Sequence, residues 1–345
     1  FHILNFTNAP MNIVNLKNKD ENDFENFLHW LEEDLNDVNK FILDNLAGSI
    51  SLVTKLSNYI VNSGGKRIRP LLTIACAKLC GYSGSRHILH ASVIEFIHTA
   101  TLLHDDVVDN SKKRRGRKTA NYVWDNKSSI LVGDYLLSKA FRLLTNDGSM
   151  KCIKIISDVS VNISHGEVKQ LIFTNNLKTT ESQYLDIISD KTAQLFSAAC
   201  KISAEICEIE EEKKDFLSDF GKFIGIAYQI VDDTLDYFYK SDESGKEPGN
   251  DLKEKKMTLP LILCYQRGNI KEKRIIESIL SKNDITKLDF EKVVNIMGKY
   301  NIKSDCLAKA KHFSIMAKDS LGIFKESPAK EKILKLVDFL INRKN

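Results

Sequence analysis

His98-Thr99-Ala100-Thr101-Leu102-Leu103-His104-Asp105-Asp106-Val107-Val108-Asp109 is the stretch on which the fold of this chain turns. Apolar residues extend upstream of it through Ile97, Phe96, Ile94 and Val93. A run that is apolar on most faces marks a central, buried helix, predicted over residues 87–109. That helix ends in three aspartates. The same ending recurs after residues 223–231, at Asp232, Asp233 and Asp236. Residues four apart share a helix face, so Asp105 stacks with Asp109, and Asp232 with Asp236. Like charges at that spacing repel by roughly 0.2–0.5 kcal/mol per exposed pair. Removing them from water costs far more unless a cation sits between them. Two such endings on otherwise buried helices point to a pair of hard-metal sites. Ligands that are all carboxylate oxygen suit Mg2+, which keeps waters and shares substrate phosphates.

Outward from these runs, nearly every segment reads as helix. Residues 23–46 are amphipathic, with Phe24, Phe27, Leu28, Leu31, Leu35 and Val38 on the apolar side. Helices are predicted at 49–61, at 71–80 behind Pro70, and at 128–144, 149–174, 181–206 and 210–239. Others follow at 258–267, 271–281, 286–299, 303–321 and 327–343. Asn62-Ser63-Gly64-Gly65 and Gly81-Tyr82-Ser83-Gly84 break the pattern, and 110–119 and 241–256 read as polar loops. No strand alternation of useful length appears. Only five prolines and sixteen glycines in 345 residues favour long helices over turn-rich β structure. The expectation is one all-α domain over residues 21–345. Residues 1–20 form a tail, read as the remnant of a longer N-terminus because the chain opens on Phe1.

Composition narrows the class further. Apolar content of 43% with 28% charged residues fits a soluble globular protein. No stretch of eighteen apolar residues appears, so no transmembrane helix is expected. The seven cysteines are odd in number and scattered, with no Cys-x-x-Cys pair. Cys76 and Cys80 share a helical face, as do Cys200 and Cys207, but no histidine joins them at zinc-ligand spacing. They read as buried thiols in a reducing compartment. That compartment is a mitochondrial or plastid matrix if a targeting segment has been removed, and otherwise the cytoplasm. His29, His87, His90, His165 and His312 have no partner pattern and read as core or surface residues; His104 points off the Asp105–Asp109 face and takes no role.

The cations decide what the aspartates are for. Gly64-Gly65-Lys66-Arg67-Ile68-Arg69-Pro70 places positive charge and backbone N–H groups at a helix start, a natural anion site. Lys112-Lys113-Arg114-Arg115-Gly116-Arg117-Lys118 follows the first aspartate cluster directly. Lys246 and Lys256 flank the second across a loop, and Lys191-Thr192 opens an apolar helical stretch. A net charge of +4, without aromatic interleaving, argues against nucleic acid. Aspartates that hold Mg2+ beside cations that hold phosphate fit a diphosphate substrate.

These residues, in this order, resemble the trans-isoprenyl diphosphate synthases, and most closely their long-chain polyprenyl branch of octaprenyl type. The similarity runs from about residue 46 to 263. It takes in Gly64 to Pro70, His98 to Asp109, Arg114-Arg115-Gly116, Val132-Gly133-Asp134-Tyr135-Leu136-Leu137, Lys191-Thr192-Ala193 and Tyr228-Gln229-Ile230-Val231-Asp232-Asp233. Gly245-Lys246, Gly249, Asp251-Leu252 and Lys256-Met257-Thr258-Leu259-Pro260 complete it. The resemblance implies an isoprenoid synthase-like fold, a single large helical bundle around a central elongated apolar cavity, and a homodimer. It implies that Asp105, Asp106, Asp109, Asp232 and Asp233 hold three Mg2+ against an allylic diphosphate, with Asp236 nearby. Arg114, Lys191, Thr192, Gln229, Lys246 and Lys256 would contact that diphosphate. Lys66, Arg69, His98 and Arg115 would hold isopentenyl diphosphate. One departure is Lys255, where the family often has glycine.

The implied reaction condenses farnesyl or geranylgeranyl diphosphate repeatedly with isopentenyl diphosphate, within isoprenoid and ubiquinone biosynthesis. Cations stabilise the leaving diphosphate, the allylic cation is attacked by the second substrate's double bond, and the released diphosphate takes the final proton. Apolar walls must exclude water. A geranylgeranyl diphosphate synthase and a non-catalytic subunit of a heteromeric synthase are the alternatives; such subunits typically lose an aspartate cluster, and this chain keeps both. A terpene cyclase would not need Lys66, Arg69 and Arg115. Ala100 and Thr101 lie roughly 6–8 Å down the helix from Asp105. They are small where short-chain members carry bulky aromatics, so a tunnel should continue past Ile97 toward Ile94 or Val93. The expected product exceeds about twenty carbons and falls at about 30–50. Ala100→Phe or Thr101→Tyr should shorten it. Chromatography of the product tests this, and farnesyl or geranylgeranyl diphosphate as the sole wild-type product would defeat it.

Overall fold

Helices dominate the structure, a computed structural model that describes residues 19–47, 50–61, 65–114, 116–238 and 249–343. The tail expected at 1–20 falls almost wholly outside them. The amphipathic run predicted as one helix is two, α1 (Lys19–Trp30) and α2 (Glu32–Leu46). The break sits at Leu31, whose N–H bonds the Leu28 carbonyl one residue short of helical register. It lets Phe27 and Leu31 enter the core from a different direction than Val38, Ile42 and Leu46, and all five are buried. α3 (Ser51–Val61) and α4 (Ile68–Leu79) follow. Pro70 lies within the first turn of α4, where its missing N–H costs nothing. α5 (Arg86–Val108) is the predicted central helix, buried on most faces from His87 to Asp106.

The basic loop after α5 closes as a two-residue antiparallel ladder, β1 (Lys113–Arg114) on β2 (Arg117–Lys118), around Gly116 at φ 74°. α6 (Ala120–Val123) leads to α7 (Asn126–Asp147), capped by the Asp125 carboxylate on Ser128 N–H and ended by Gly148 in the left-handed region. α8 (Met150–Phe173) is capped by Ser149. The helix predicted at 181–206 is interrupted. α9 (Glu181–Ile188), with a Thr180–Gln183 capping box, passes into a π-helical turn at Ser189–Ala193 before α10 (Gln194–Ile206). α11 (Glu211–Phe238) carries the second aspartate cluster. α12 (Asn250–Lys253), α13 (Leu259–Arg267), α14 (Ile270–Leu280), α15 (Lys287–Lys299), α16 (Ile302–Ser320) and α17 (Pro328–Asn342) complete the chain.

α5 packs against α2, α4, α7 and α10; α10 lies on α11, and α11 on α16. One apolar core gathers Leu71, Ile94, Ile97, Leu136, Phe196 and Phe220, and a second gathers Ile230, Leu259, Ile276 and Met297. α11 belongs to both, through Phe220 and Ile230, which ties its aspartate end to the whole bundle. No helix among the described residues is long and apolar enough to cross a membrane.

Two glycines allow the π-turn its place. A Cβ on Gly166 of α8 would stand 2.5 Å from Lys191 N, and one on Gly225 of α11 would stand 2.6 Å from the Ala193 Cα. Both neighbours are backbone atoms, so neither can yield without moving the turn that carries Lys191. Gly225→Val should therefore destabilise the protein by roughly 1–3 kcal/mol, read as a lower denaturation midpoint. An unchanged midpoint would mean that α11 and the turn separate freely.

Candidate active site

The aspartate ends of α5 and α11 open into one cleft of about 310 Å3. Asp105 and Asp109 line one side; Asp232, Asp233 and Asp236 line the other. The helix spacing thus does what the sequence predicts, turning the i and i+4 carboxylates of α5 toward the same space. Asp106 is displaced by about 100° around the helix and is 5% exposed. Its carboxylate accepts from Arg114 Nε at 2.8 Å instead of lining the cleft. Burial raises its pKa despite that partner.

The second cluster is held by donors. Tyr184 Oη donates to Asp233 Oδ2 at 2.6 Å, and Gln229 Nε2 to Oδ1 at 2.7 Å. Thr192 Oγ1 in turn donates to Gln229 Oε1 at 2.9 Å, linking the π-turn to α11. Asp236 caps α12, accepting from the Asn250 and Asp251 N–H groups at 3.3 and 3.0 Å. Arg343 donates to Asp232 Oδ1 at 3.1 Å and to the Tyr228 carbonyl, and its guanidinium stacks 3.7 Å from the centre of the Tyr228 ring.

Lysines bridge the cleft. Lys191 Nζ lies 2.8 Å from Glu167 and 3.8 Å from Asp105. Lys256 Nζ lies 2.8 Å from Asp109 and 2.6 Å from Glu254, joining the two halves of the sequence. Lys255 explains the departure from the family pattern. Its φ of 55° is in the left-handed region that favours glycine, and the turn it makes delivers Lys256 to the cleft.

A smaller recess of about 50 Å3 adjoins the cleft, sharing Arg69, His98, Leu102 and Tyr228 with it. Lys66, Arg67, Glu95 and Thr99 add to its polar lining. Arg69 Nη1 and His98 Nε2 are 3.2 Å apart, and the Arg69 guanidinium lies 4.4 Å over the Phe196 ring. The recess is lined from α3, the segment before α4, α4 itself, α5, α10 and α11. Of the residues expected at a second anion site, Lys66 comes from the segment before α4, Arg69 from α4 and His98 from α5. Arg115 and Lys246 lie outside the described residues. Thr101 stands in the floor of the main cleft with Leu102 and Ile163. Ala100, Ile97, Ile94 and Val93 are buried in the apolar core. His104, given no role, turns toward the Ile130 carbonyl and Asp134.

Several cleft residues escaped the sequence reading. Glu167 of α8 is one; burial, then the neighbouring Asp105, pushes its carboxyl up to about 7. Burial, then Asp232 and Asp236, pushes Asp233 to about 7 as well. Asp251 is raised well above the usual carboxylate range by burial and by Asp236 and Asp233. Asp251 stood inside a matching motif without a role. Glu167, Tyr184 and Arg343 had no local signal, because each meets the cleft only through the folding of a separate helix.

The excess of carboxylate oxygen, with Glu167, Asp233 and Asp251 raised first by burial and then by their acidic neighbours, is a donor set that fits hard divalent cations. The cations on the rim fit the phosphate groups such ions carry.

Comparison with known proteins agrees. The polyprenyl synthetase family model matches residues 50–297. Octaprenyl diphosphate synthase of Escherichia coli (strain K12) is 37% identical over 311 residues, covering 90% of this chain and 96% of that protein. The crystal structure of a decaprenyl diphosphate synthase from Rhodobacter capsulatus superposes with a TM-score of 0.88 at 40% identity, over 93% of this chain and 99% of that one. A polyprenyl synthase from Caulobacter crescentus, crystallised with calcium and isoprenyl diphosphate, gives a TM-score of 0.90 at 35% identity, over 93% and 98%. With that agreement of fold, cleft and sequence, the chain belongs to the polyprenyl synthetase family, whose members are Mg2+-dependent prenyltransferases.

Proposed function

We propose that this chain condenses an allylic diphosphate, farnesyl or geranylgeranyl, repeatedly with isopentenyl diphosphate to give a long all-trans polyprenyl diphosphate. The observation that carries the reading is a pair of adjoining recesses, each with its own cations. The larger is framed by two aspartate clusters and lysines, the smaller by Lys66, Arg69 and His98. Two diphosphates facing each other need that arrangement; a cyclase acting on one does not. The relatives reported above make octaprenyl and decaprenyl products, which supports a long product here.

Asp105, Asp109, Asp232, Asp233 and Asp236 would hold Mg2+, three ions by family likeness. Asp106 supports the first cluster through Arg114. Bound Mg2+ neutralises the diphosphate as negative charge builds on it. Lys191, Lys256 and Arg114, now paired with carboxylates, would bind that diphosphate when ions take those carboxylates. Gln229 and Thr192 orient Asp233, and Lys246, outside the described residues, would join them on the diphosphate by family likeness alone. Lys66, Arg69 and His98, with Arg115, would fix isopentenyl diphosphate so that its double bond faces the ionising carbon. Leu102, Ile163 and Thr101 form the water-poor floor toward which the growing chain is directed.

The same reading includes a homodimer. α7 exposes Ile130 and Leu131, and α8 exposes Val161, Val168, Leu171 and Ile172, each more than 40% accessible. On α8 they recur at helical spacing, an apolar stripe suited to a second copy. The relatives reported are bacterial, and nothing in them supports an organellar address.

Asp105→Ala should reduce turnover of farnesyl diphosphate with labelled isopentenyl diphosphate by at least about 100-fold, with the fold intact by circular dichroism. Near-normal turnover would overturn the assignment. A second test uses protons. Glu167 and Asp233, raised to about 7, are partly protonated at pH 6 without ions. Cations favour the ionised form and displace those protons. Binding of Mg2+ with a diphosphate at pH 6 should therefore release protons, and should tighten as pH rises from about 6 to 8. Calorimetry in buffers of different ionisation heat measures the release, which Glu167→Gln should diminish; zero release in the wild type contradicts this charge balance.

A further inference from the structure

At the opposite end of α5 from the aspartates lies a different set of donors. His90 of α5, Asp147 closing α7 and Cys152 in the first turn of α8 bring one ligand atom each within 4.8 Å of one another. His90 is fully buried. Neither of its ring nitrogens has a hydrogen-bond partner, and Asp147 Oδ2 stands 3.4 Å from Nε2 without alignment. A buried, unsatisfied imidazole is costly in a native core and calls for a ligand. Along α5 the distance from His90 to Asp105 is about 22 Å at 1.5 Å per residue, so this cluster is separate from the catalytic cleft.

We propose that His90, Asp147 and Cys152 form a second metal site, selective for a thiophilic divalent transition ion such as Zn2+ or Co2+. An imidazole nitrogen, a thiolate and a carboxylate oxygen are a donor set those ions take, and one that Mg2+ does not prefer. Two of the three donors already stand in their ligating form. Burial holds the His90 pKa down at about 4, so the ring is neutral with a lone pair available. The hydrogen bond from Arg86 keeps the Asp147 carboxyl below the usual range and hence ionised. Cys152 N–H is capped by Ser149, and its thiol sits at the N-terminus of α8, where a thiolate is favoured. Burial raises that thiol's pKa, so ion binding must displace one proton from Sγ to solvent.

Arg86 has a place beside such a site. Its Nε holds Asp147 Oδ1 at 2.8 Å and its Nη2 holds Oδ2 at 2.7 Å. With Nε on Oδ1, Oδ2 can turn to the ion, and the partly exposed guanidinium orients the ligating carboxylate from outside. Tetrahedral donors bonded at about 2.0–2.3 Å are about 3.3–3.8 Å apart. The His90–Asp147 pair at 3.4 Å already meets that spacing, and no pair needs to close by more than about 1 Å. The fourth position is left for water. An ion here would clasp α5, α7 and α8 together at the end of the bundle remote from catalysis.

The test uses the full chain, stripped with chelator and titrated with Co2+ in excess Mg2+, which occupies the aspartate clusters. One equivalent of Co2+ should produce a thiolate-to-metal charge-transfer absorption, which an all-carboxylate site cannot give. The absorption should vanish in Cys152→Ser and in His90→Gln and persist in Asp105→Asn. Absence of the absorption in the wild type, or its survival in Cys152→Ser, overturns the proposal and leaves the cluster a polar network around Arg86. Should those variants not fold, X-ray absorption at the zinc edge of the wild-type protein decides. One sulfur neighbour at about 2.3 Å supports the site, and a shell of nitrogen and oxygen alone sinks it.

Discussion

Carboxylate repulsion in a partly dry cleft is the constraint around which this protein is arranged. Asp105, Asp109, Glu167, Asp232, Asp233, Asp236 and Asp251 converge on one space. Left alone, that much negative charge would drive protonation or opening. Lys191, Lys256, Arg114 and Arg343 hold it together, each bonded to a carboxylate of one of the two clusters or to Glu167. The same cations suit phosphate oxygens once divalent ions have engaged the carboxylates. On the proposed function, the internal ion pairs would give way to substrate and metal contacts of the same sign.

The bundle keeps those partners in place with backbone devices rather than side-chain contacts alone. The π-turn at Ser189–Ala193 shifts the register between α9 and α10 and aims Lys191 and Thr192 into the cleft. Gly166 and Gly225 press two other helices onto that turn. At Lys255 the chain accepts a left-handed backbone to deliver Lys256. An unusual helical turn and a left-handed residue thus stand where Lys191 and Lys256 are brought to the cleft.

Helical content, the central place of α5, and the shared face of Asp105 and Asp109 were legible in the sequence. All three follow from local periodicity, and buried long helices carry the strongest periodic signal. Breaks inside helical patterns were not legible. Residues 23–46 and 181–206 read as continuous because Leu31 and the Ser189–Ala193 turn involve no glycine or proline. The missed site residues share one cause. Tyr184, Glu167 and Arg343 reach the cleft from helices whose own sequences show nothing but amphipathic spacing.

The sequence by itself determined which residues carry the charge and which helix faces they occupy, because both depend on neighbours one turn apart. Only the tertiary structure decided which charges meet. Lys256 reaches Asp109, Arg343 reaches Asp232 and Tyr184 reaches Asp233 across wide gaps in the chain. It also turned Asp106 from the cleft to Arg114 and set His90, Asp147 and Cys152 side by side. Contacts of that kind arise from how helices cross in the packed bundle, and spacing along the chain carries no record of those crossings.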